Sequence, residues 1–355
     1  MKRLSFVCLF FISLLLVSQT NSSLKTDSTS IRALRIADSL NHNDGPYMFI
    51  DKDKIIEKNI VNGTIETKTL GLNTINTEFD TEPFIYHNVS KIAVISDLHG
   101  QYDLTIKILK NNLIIDERLN WIFGKGHLVI VGDIFDRGPK TTELLWLVYN
   151  LEKEAANNGG KVHFILGNHE FMVMQNDLRY INKKYWLTSK LLNTPYNELY
   201  GKETVLGRWL RSKNTILNID DNLFLHAGIS EGFISNGFNL EETNQKMRES
   251  LFVDDNDPAW HTLFDKYYDK NGPIWYRGYF SADFKKSEIN TLLRKLDVKH
   301  VIVGHTSQKQ IESLFHNKIL AVDSSIKNGI YGEMLFIENG KYYRHTMEGE
   351  KIQLN

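Results

Sequence analysis

The chain has 355 residues, and its 42 lysines and arginines are nearly balanced by 43 aspartates and glutamates, which gives a formal net charge of −1. A balanced charge gives no reason to expect nucleic acid or an anionic membrane as the main partner. Hydrophobic residues make up 42% of the chain, as in globular proteins, and the length suffices for one large core or two ordinary domains.

The first residues have the layout of a secretory signal peptide. Lys2 and Arg3 precede a mostly apolar run at 4–17, and small polar residues follow at 18–23. We therefore expect residues 1–23 to be cleaved and the mature protein to be secreted or periplasmic. The apolar run is shorter than the roughly 17–25 residues that span a bilayer. The alternative is a short uncleaved segment, which would be the protein's only attachment to a membrane.

The only cysteine, Cys8, lies inside this segment. A mature chain without cysteine excludes disulfides, thiolate metal ligands and cysteine nucleophiles. Export without disulfides is typical of a bacterial periplasm or cell surface.

Residues 24–85 differ from the rest of the chain. They begin with a polar stretch, and the short apolar runs at 47–50 and 54–56 then predict strands. An Asn-Gly pair at 62–63 is typical of a two-residue hairpin turn. We interpret residues 24–85 as a polar segment and a β-rich lead-in that packs on the main domain, residues 86–355.

The main domain alternates between strand and helix patterns. Helical spacing covers residues 141–157 and 287–296, and an aromatic, basic stretch at 171–221 predicts a helical insertion. This alternation indicates an α/β fold. Short apolar runs predict strands at Ile92–Ser96, Leu128–Val131, Val162–Leu166, Asn222–His226, Val301–Val303 and Lys318–Val322.

Five of these strands are followed by residues of the types that bind metals in proteins. The carboxyl ends of strands in an α/β sheet meet at one edge, so we expect these side chains to converge. Carboxylate, imidazole and amide ligands without sulfur suit Mn, Fe, Zn or Co. Six ligands exceed the needs of one catalytic metal and fit a pair sharing a carboxylate. The side chains are Asp97, His99, Asp133, Asn168, His226 and His305.

The order of these motifs resembles that of the calcineurin-like metallophosphoesterases, in particular their phosphoprotein phosphatase branch. The segment GPIWYRGY at 272–279 is similar to the Shewanella-like bacterial phosphatases. The resemblance implies two mixed β-sheets packed as a sandwich and flanked by helices. The motifs that carry it are DLHG at 97–100, GDIFDRG at 132–138, GNHE at 167–170, HAG at 226–228 and GHT at 304–306.

The same resemblance assigns roles to the metal ligands. It implies that Asp97 and His99 hold one divalent metal and that Asp133 bridges both. The second site would then be completed by Asn168, His226 and His305. Manganese is among the metals that we expect for the pair.

The remaining assignments concern the substrate. By resemblance, His169 protonates the leaving oxygen, Asp136 orients its imidazole, and Arg137, Arg277 and Asn168 contact the phosphate. We expect hydrolysis of phosphoproteins, at phosphotyrosine or phosphoserine/threonine, or of small phosphate esters. The attacking group would be a metal-bridging hydroxide, and no nucleic-acid partner is predicted.

Two alternatives remain open. The eukaryotic phosphatases have HGG where this chain has His226-Ala227-Gly228. The alanine form also occurs in bacterial relatives that cleave dinucleoside tetraphosphates, so such a hydrolase or a phosphodiesterase is one alternative. The other is a non-catalytic secreted binding module, which ought to have lost ligands, whereas none is missing.

Several other residues receive no catalytic role. His163 is interpreted as a packed histidine within its strand. The insertion's aromatic residues Tyr180, Tyr185, Trp186 and Trp209 are interpreted as core.

Overall fold

The structure is a computed structural model that describes residues 41–253 and 257–354. The predicted signal peptide lies outside these residues, as does most of the polar segment that follows it. Of the helices within the described ranges, none combines the length and apolar character needed to cross a bilayer.

The described residues form strands and helices that are numbered here in chain order. The strands are β1 (Asp44–Asp51), β2 (Lys54–Val61), β3 (Thr64–Gly71), β4 (Ile85–Tyr86), β5 (Lys91–Ile95), β6 (His127–Val131), β7 (Lys161–Ile165), β8 (Ile216–Ile219), β9 (Asn222–Leu225), β10 (His300–Val303), β11 (Glu312–Leu314), β12 (Ile319–Ala321), β13 (Glu333–Glu338), β14 (Lys341–Thr346) and β15 (Lys351–Gln353). The helices are α1 (Tyr102–Asn111), α2 (Thr141–Asn157), α3 (Asn168–Met174), α4 (Lys183–Leu192), α5 (Val205–Arg211), α6 (Glu231–Ser235), α7 (Leu240–Ser250), α8 (Pro258–Tyr267) and α9 (Lys286–Leu296).

Two six-stranded mixed sheets pack face to face, with strand orders β15-β14-β13-β5-β6-β7 and β11-β12-β10-β9-β8-β4. Side chains alternate along each strand, so Ile92 and Val94 of β5 join the cluster between the sheets, together with Phe224 and Ile302. Ala93 belongs instead to the core on the helical side. The predicted α/β sandwich flanked by helices is confirmed.

Parallel pairing brings the polar loops to one edge. β5, β6 and β7 run parallel in the first sheet, and β9, β10 and β12 run parallel in the second. Each strand is an apolar run that is buried almost throughout, because both of its faces are covered. The loops after five of these strands therefore emerge together.

The lead-in forms an antiparallel sheet in the order β1-β2-β3. Its turn between β2 and β3 has positive φ at Asn62 (49°) and Gly63 (73°), as the Asn-Gly pair predicts. The sheet is tied to α2 where the Trp146 indole donates to the Pro46 carbonyl at 2.8 Å. The Ile50 amide donates to Glu203 at 2.8 Å, just before α5.

The prediction of a helical insertion at 171–221 is wrong at its end. Two helices, α4 and α5, do form there, but the apolar run Ile216–Ile219 becomes strand β8. It pairs antiparallel with β9 across a turn at Asp220, whose φ is 52°. Trp186 is also not core, because 56% of its surface is exposed, whereas Tyr185 and Trp209 are buried as predicted.

Candidate metal centre and active site

The backbone turns sharply at the residues that carry the candidate chemistry. At these residues φ is positive, which is the left-handed conformation that residues other than glycine rarely adopt. The surrounding fold therefore holds them against their local backbone preference. Glycines allow the close approach of the loops, since a Cβ at Gly132 would lie 2.7 Å from Nδ1 of His226. The residues with positive φ are Asp97 (54°), His99 (43°), Asp133 (59°), Asp136 (72°), Arg137 (64°) and His305 (62°).

One cluster of donor atoms surrounds Nε2 of His226. Nδ1 of His226 lies 2.8 Å from the Val131 carbonyl, so in its neutral form the ring donates there and presents the lone pair of Nε2 to the cluster. Nε2 lies 3.2 Å from Oδ2 of Asp133, 3.0 Å from Oδ1 of Asn168 and 3.2 Å from Nδ1 of His305. Lone pairs that converge in this way are suited to a cation.

A second cluster surrounds the His99 imidazole. Nδ1 of His99 lies 2.7 Å from the Phe135 carbonyl, which leaves Nε2 for a metal. Nε2 is 3.6 Å from Oδ2 of Asp133 and 3.9 Å from Oδ1 of Asp97. Asp133 therefore belongs to both clusters of donor atoms.

Asp97 is held mainly through its other oxygen. Oδ2 accepts from the Ser96 hydroxyl at 2.5 Å and from the His305 amide at 2.9 Å. Neither bond uses Oδ1, which faces Nε2 of His99. These bonds also fix the position of His305, whose buried Nε2 has no hydrogen-bond partner among the residues that the structure describes. The structure thus brings together all six predicted ligands, and an unpartnered imidazole nitrogen among them fits a metal centre.

Carboxylates and imidazoles that are packed together away from water strongly shift one another's pKa values. Burial opposes protonation of His226, but Asp133 and Asp97 outweigh it and raise its pKa to about 10. Burial lowers the pKa of His99 to about 3, and burial together with His226 lowers that of His305 to about 2. Burial would raise the pKa of Asp133, yet the surrounding imidazoles hold it well below its usual value.

Glu170 supports the loop that carries Asp133, a role that the sequence did not reveal. Its carboxylate, which is completely buried, accepts from the amides of Asp133 (2.8 Å), Ile134 (2.7 Å), Phe135 (3.2 Å) and Gly167 (2.8 Å). One side chain therefore ties the GDIFDRG turn to the GNHE turn. Its signal in the sequence was an acid at the N-terminus of a helix, where carboxylates meet free amides.

His169 and Asp136 form a hydrogen-bonded pair next to this cluster. Nδ1 of His169 contacts Oδ2 of Asp136, and Nε2 lies 3.8 Å from Oδ2 of Asp133. Burial alone would lower the pKa of His169, but the two aspartates outweigh it and raise the pKa. The ring is thus oriented and favours its protonated form.

A cavity of about 130 Å³ opens onto the cluster. Arg137 and Arg277 both line it, as predicted for phosphate contacts, and Lys327 adds a third cation. Nη1 of Arg277 donates to the carbonyl of His305 at 3.0 Å. Within residues 41–253 and 257–354, neither arginine forms an ion pair with a carboxylate, so their charge remains for an anion.

Two aromatic rings flank this cavity, Tyr180 and Trp275. The interpretation of Tyr180 as core is wrong, because 43% of its surface is exposed and its ring packs 5.4 Å from the guanidinium of Arg137. Lys327 was missed as well, since it comes from a loop after β12 that carries no motif. Its Nζ contacts the Ser307 hydroxyl, which donates to Asp323 at 2.5 Å.

Comparison with known proteins identifies the fold and its chemistry. The family model for calcineurin-like phosphoesterases matches residues 90–309. This chain belongs to that family. The match spans all the strand-end motifs that meet at the cluster.

Several relatives of this family member are named as protein phosphatases. The Shewanella-like protein phosphatase 1 of Plasmodium berghei is 28% identical, over 74% of this chain and 73% of the relative. The Shewanella-like protein phosphatase 2 of Arabidopsis thaliana is 24% identical, over 69% and 73%. A cold-active protein-tyrosine phosphatase of a psychrophilic Shewanella species matches with a TM-score of 0.83 and 40% identity, over 88% of this chain and 99% of that one. The chain is therefore a metal-dependent phosphatase, which removes the alternative of a non-catalytic module.

Proposed function

We propose that this phosphatase is a dinuclear phosphomonoesterase that acts on phosphotyrosine in peptides or proteins. The observation that carries the proposal is the shared position of Asp133 between two donor clusters, next to His169 and two arginines without carboxylate partners in the described part. The donor set would hold Mn, Fe, Zn or Co. Bound there, the cations would activate water and neutralise charge on the phosphate oxygens.

The arginines position the phosphate. Each guanidinium presents a planar fork of donors that matches two phosphate oxygens. Nη1 of Arg277 is fixed by the His305 carbonyl at 3.0 Å and the Thr306 hydroxyl at 3.2 Å, which leaves its other donors for the ligand. Asn168 lines the same cavity, where its side-chain amide would contact a bound metal or the phosphate.

His169 supplies the proton that the leaving oxygen needs. Its pKa is raised by Asp133 and Asp136 against the opposing effect of burial, which favours the protonated form that a general acid needs. Asp136 orients the ring by accepting from Nδ1. Since no serine, cysteine or aspartate is needed as a nucleophile, we propose direct transfer of the phosphoryl group to water.

Two observations support phosphotyrosine over other esters. The rings of Tyr180 and Trp275 both line the cavity, and they offer apolar surface to an aryl leaving group. The Shewanella relative at 40% identity is described as a protein-tyrosine phosphatase.

A substrate panel on the metal-reconstituted protein tests this function. We expect kcat/KM for a phosphotyrosine peptide to exceed that for a phosphoserine peptide of the same sequence by about tenfold or more. Diadenosine tetraphosphate is the competing substrate, because the symmetrical bis(5'-nucleosyl)-tetraphosphatase of Vibrio campbellii is 24% identical over 57% of this chain. Preferred cleavage of diadenosine tetraphosphate would refute the assignment to monoesters.

We also propose that residues 1–23 direct export and that the substrate is met outside the cytoplasm. The support is the basic start followed by an apolar run in the sequence. Mass spectrometry of the protein from fractionated cells tests this proposal. A mature chain in the periplasmic or extracellular fraction is expected, whereas an intact N-terminus in the membrane fraction would indicate the uncleaved anchor.

A further inference from the structure

A second basic cavity lies apart from the catalytic one. It has a volume of about 470 Å³ and shares no lining residue with the catalytic cavity. We call it the arginine groove, and three segments form it: the loop before β4, helix α5 with the residues before it, and helix α7 with Phe252. The side chains that define it are Phe79, Lys202, Arg208, Arg211, Arg248 and Phe252.

Two of its arginines, Arg211 and Arg248, are half-buried and form no ion pair with an acidic side chain in the described part of the chain. Nη1 of Arg211 donates to the carbonyls of Tyr200 (2.7 Å) and Gly207 (3.0 Å), and its buried Nε has no hydrogen-bond partner among the described residues. Nη1 of Arg248 donates to Oδ1 of Asn214 at 2.5 Å. In the described residues neither forms an ion pair, so several donors with full positive charge remain for another group.

Two neighbouring acids, Glu198 and Glu249, attract Arg211 and Arg248 respectively, but in the described residues neither lies within ion-pair distance of its arginine. Glu78 is paired with Arg208 at 2.6 Å, and Glu249 with Lys246 at 2.8 Å. Burial lowers the pKa of both Arg211 and Arg248, in keeping with charges that are held away from water. The basic residues that line the groove outnumber its acidic residues, so the groove has a net positive potential.

Aromatic surface accompanies this charge. Phe252 is 63% exposed, and its ring lies 5.8 Å from the guanidinium of Arg211. Phe79 lines the same groove and is partly buried. Such an exposed ring next to guanidinium donors is typical of a ligand site with an apolar body and an anionic end.

From these observations we propose that the arginine groove binds an aromatic phosphate dianion at a site separate from the catalytic centre. Arg211 and Arg248 hold the phosphate through their forked donors, and Phe252 and Phe79 contact the aromatic ring. This assignment does not depend on the proposed catalytic mechanism.

Calorimetry with phenylphosphonate tests the proposal, because its carbon–phosphorus bond resists phosphatases. On the metal-loaded full-length protein we expect two sites, one catalytic and one in the groove. Arg248→Gln should remove or weaken one of them about tenfold or more while hydrolysis of p-nitrophenyl phosphate is unchanged. Arg277→Gln should instead weaken the other site.

Arg294→Gln is the matched control, because it removes the same charge from an exposed position on α9. It should leave both sites intact. Arg248 is preferred to Arg211 as the test residue, since Arg211 also supports backbone carbonyls and its loss could disturb folding. Binding that is insensitive to Arg248→Gln would overturn the proposal, and methylphosphonate binding as tightly as phenylphosphonate in the groove would overturn its aromatic part.

Discussion

Nδ1 of His169 hydrogen-bonds Oδ2 of Asp136, and both side chains are almost completely buried. An ionised carboxylate only accepts, so the proton of this bond belongs to the imidazole. The opposite nitrogen, Nε2, then faces the cavity and Asp133, at 3.8 Å from Oδ2. The pair has the arrangement of an oriented general acid.

The role of His169 as the acid predicts an effect that depends on the leaving group. His169→Asn should slow hydrolysis of an alkyl phosphate by about 10²–10⁴-fold, because an alkoxide needs the proton. The loss should be much smaller for p-nitrophenyl phosphate, whose leaving group is a weak base. Steady-state kinetics on both esters, with metal content measured in parallel, provide the test. Equal losses on the two esters would contradict the assignment.

Asp133 is expected to determine metal content. Asp133→Asn removes the negative charge shared by both clusters, so the metal content should fall and turnover should be abolished. Elemental analysis and activity assays after identical purification measure the change. Asp103→Asn, at an exposed acid on α1, is the control and should retain both metal and activity. Full metal content in Asp133→Asn would refute the bridging role.

Lys327 is predicted to contribute to phosphate binding. Lys327→Met should raise KM and the inhibition constant of inorganic phosphate by about tenfold, with a smaller effect on kcat. The reason is that the substitution removes one positively charged side chain from the cavity. Inhibition kinetics measure the change. Lys309→Met removes the same charge from an exposed residue and should change neither constant. If the two variants behave alike, Lys327 has no specific contact with the anion.

Glu170 is predicted to be a positioning residue that acts through the backbone. Glu170→Gln replaces a carboxylate that accepts four amides by a group with one acceptor oxygen. We expect the free energy of unfolding to fall by about 2–4 kcal/mol, measured by urea denaturation. The control Glu117→Gln breaks an exposed ion pair with Lys110 and should cost less than about 1 kcal/mol. A loss in Glu170→Gln no larger than in the control would contradict this role.

His163 is predicted to make stability depend on pH. Burial lowers its pKa well below 6.5 in the folded protein, and His127 and Lys161 lower it further. Below about pH 6.5 the unfolded chain therefore binds the proton and the folded chain does not, so the free energy of unfolding falls as the pH falls. His163→Gln should flatten this dependence by up to about 1.4 kcal/mol per pH unit, measured by denaturation between about pH 7.5 and pH 5.

The matched control for this measurement is His316→Gln, at an exposed histidine. Its pH dependence should follow that of the parent protein. If the free energy of unfolding of His163→Gln depended on pH as steeply as that of the parent protein, other groups would be responsible for the loss of stability at low pH.

The sequence predicted the strands that carry the site because each is an apolar run that ends in a polar turn. Val129 and Val131 are buried between the sheets, and the ligand Asp133 follows two residues later. Helix α2 matches the predicted range 141–157, since its helical spacing is regular. The carboxyl ends of parallel strands lie at one edge of a sheet. The proximity of the six candidate ligands could therefore be predicted from the sequence alone.

Other features depend on distant contacts that no local pattern shows. Strand β13 pairs with its neighbour β14 but also with β5, which is distant in the sequence, and no local pattern predicts that second pairing. Lys327 reaches the cavity only because β12 lies beside β10. Tyr180 appeared to be core by residue type, but its position over Arg137 is set by the packing of the loop before α4.

The positive φ angles of Asp97, His99, Asp133 and His305 have a consequence for engineering. Glycine adopts this backbone readily, so at these positions it would relieve strain of about 1–2 kcal/mol each while deleting a metal ligand. The hydrogen bonds that Asp97 and Asp133 accept, and any metal bound to the folded protein, oppose this gain. Heat resistance selected in the absence of metal would therefore favour glycine more than selection in its presence, so a thermostabilised form of this phosphatase should be selected with metal supplied and screened for turnover at every round.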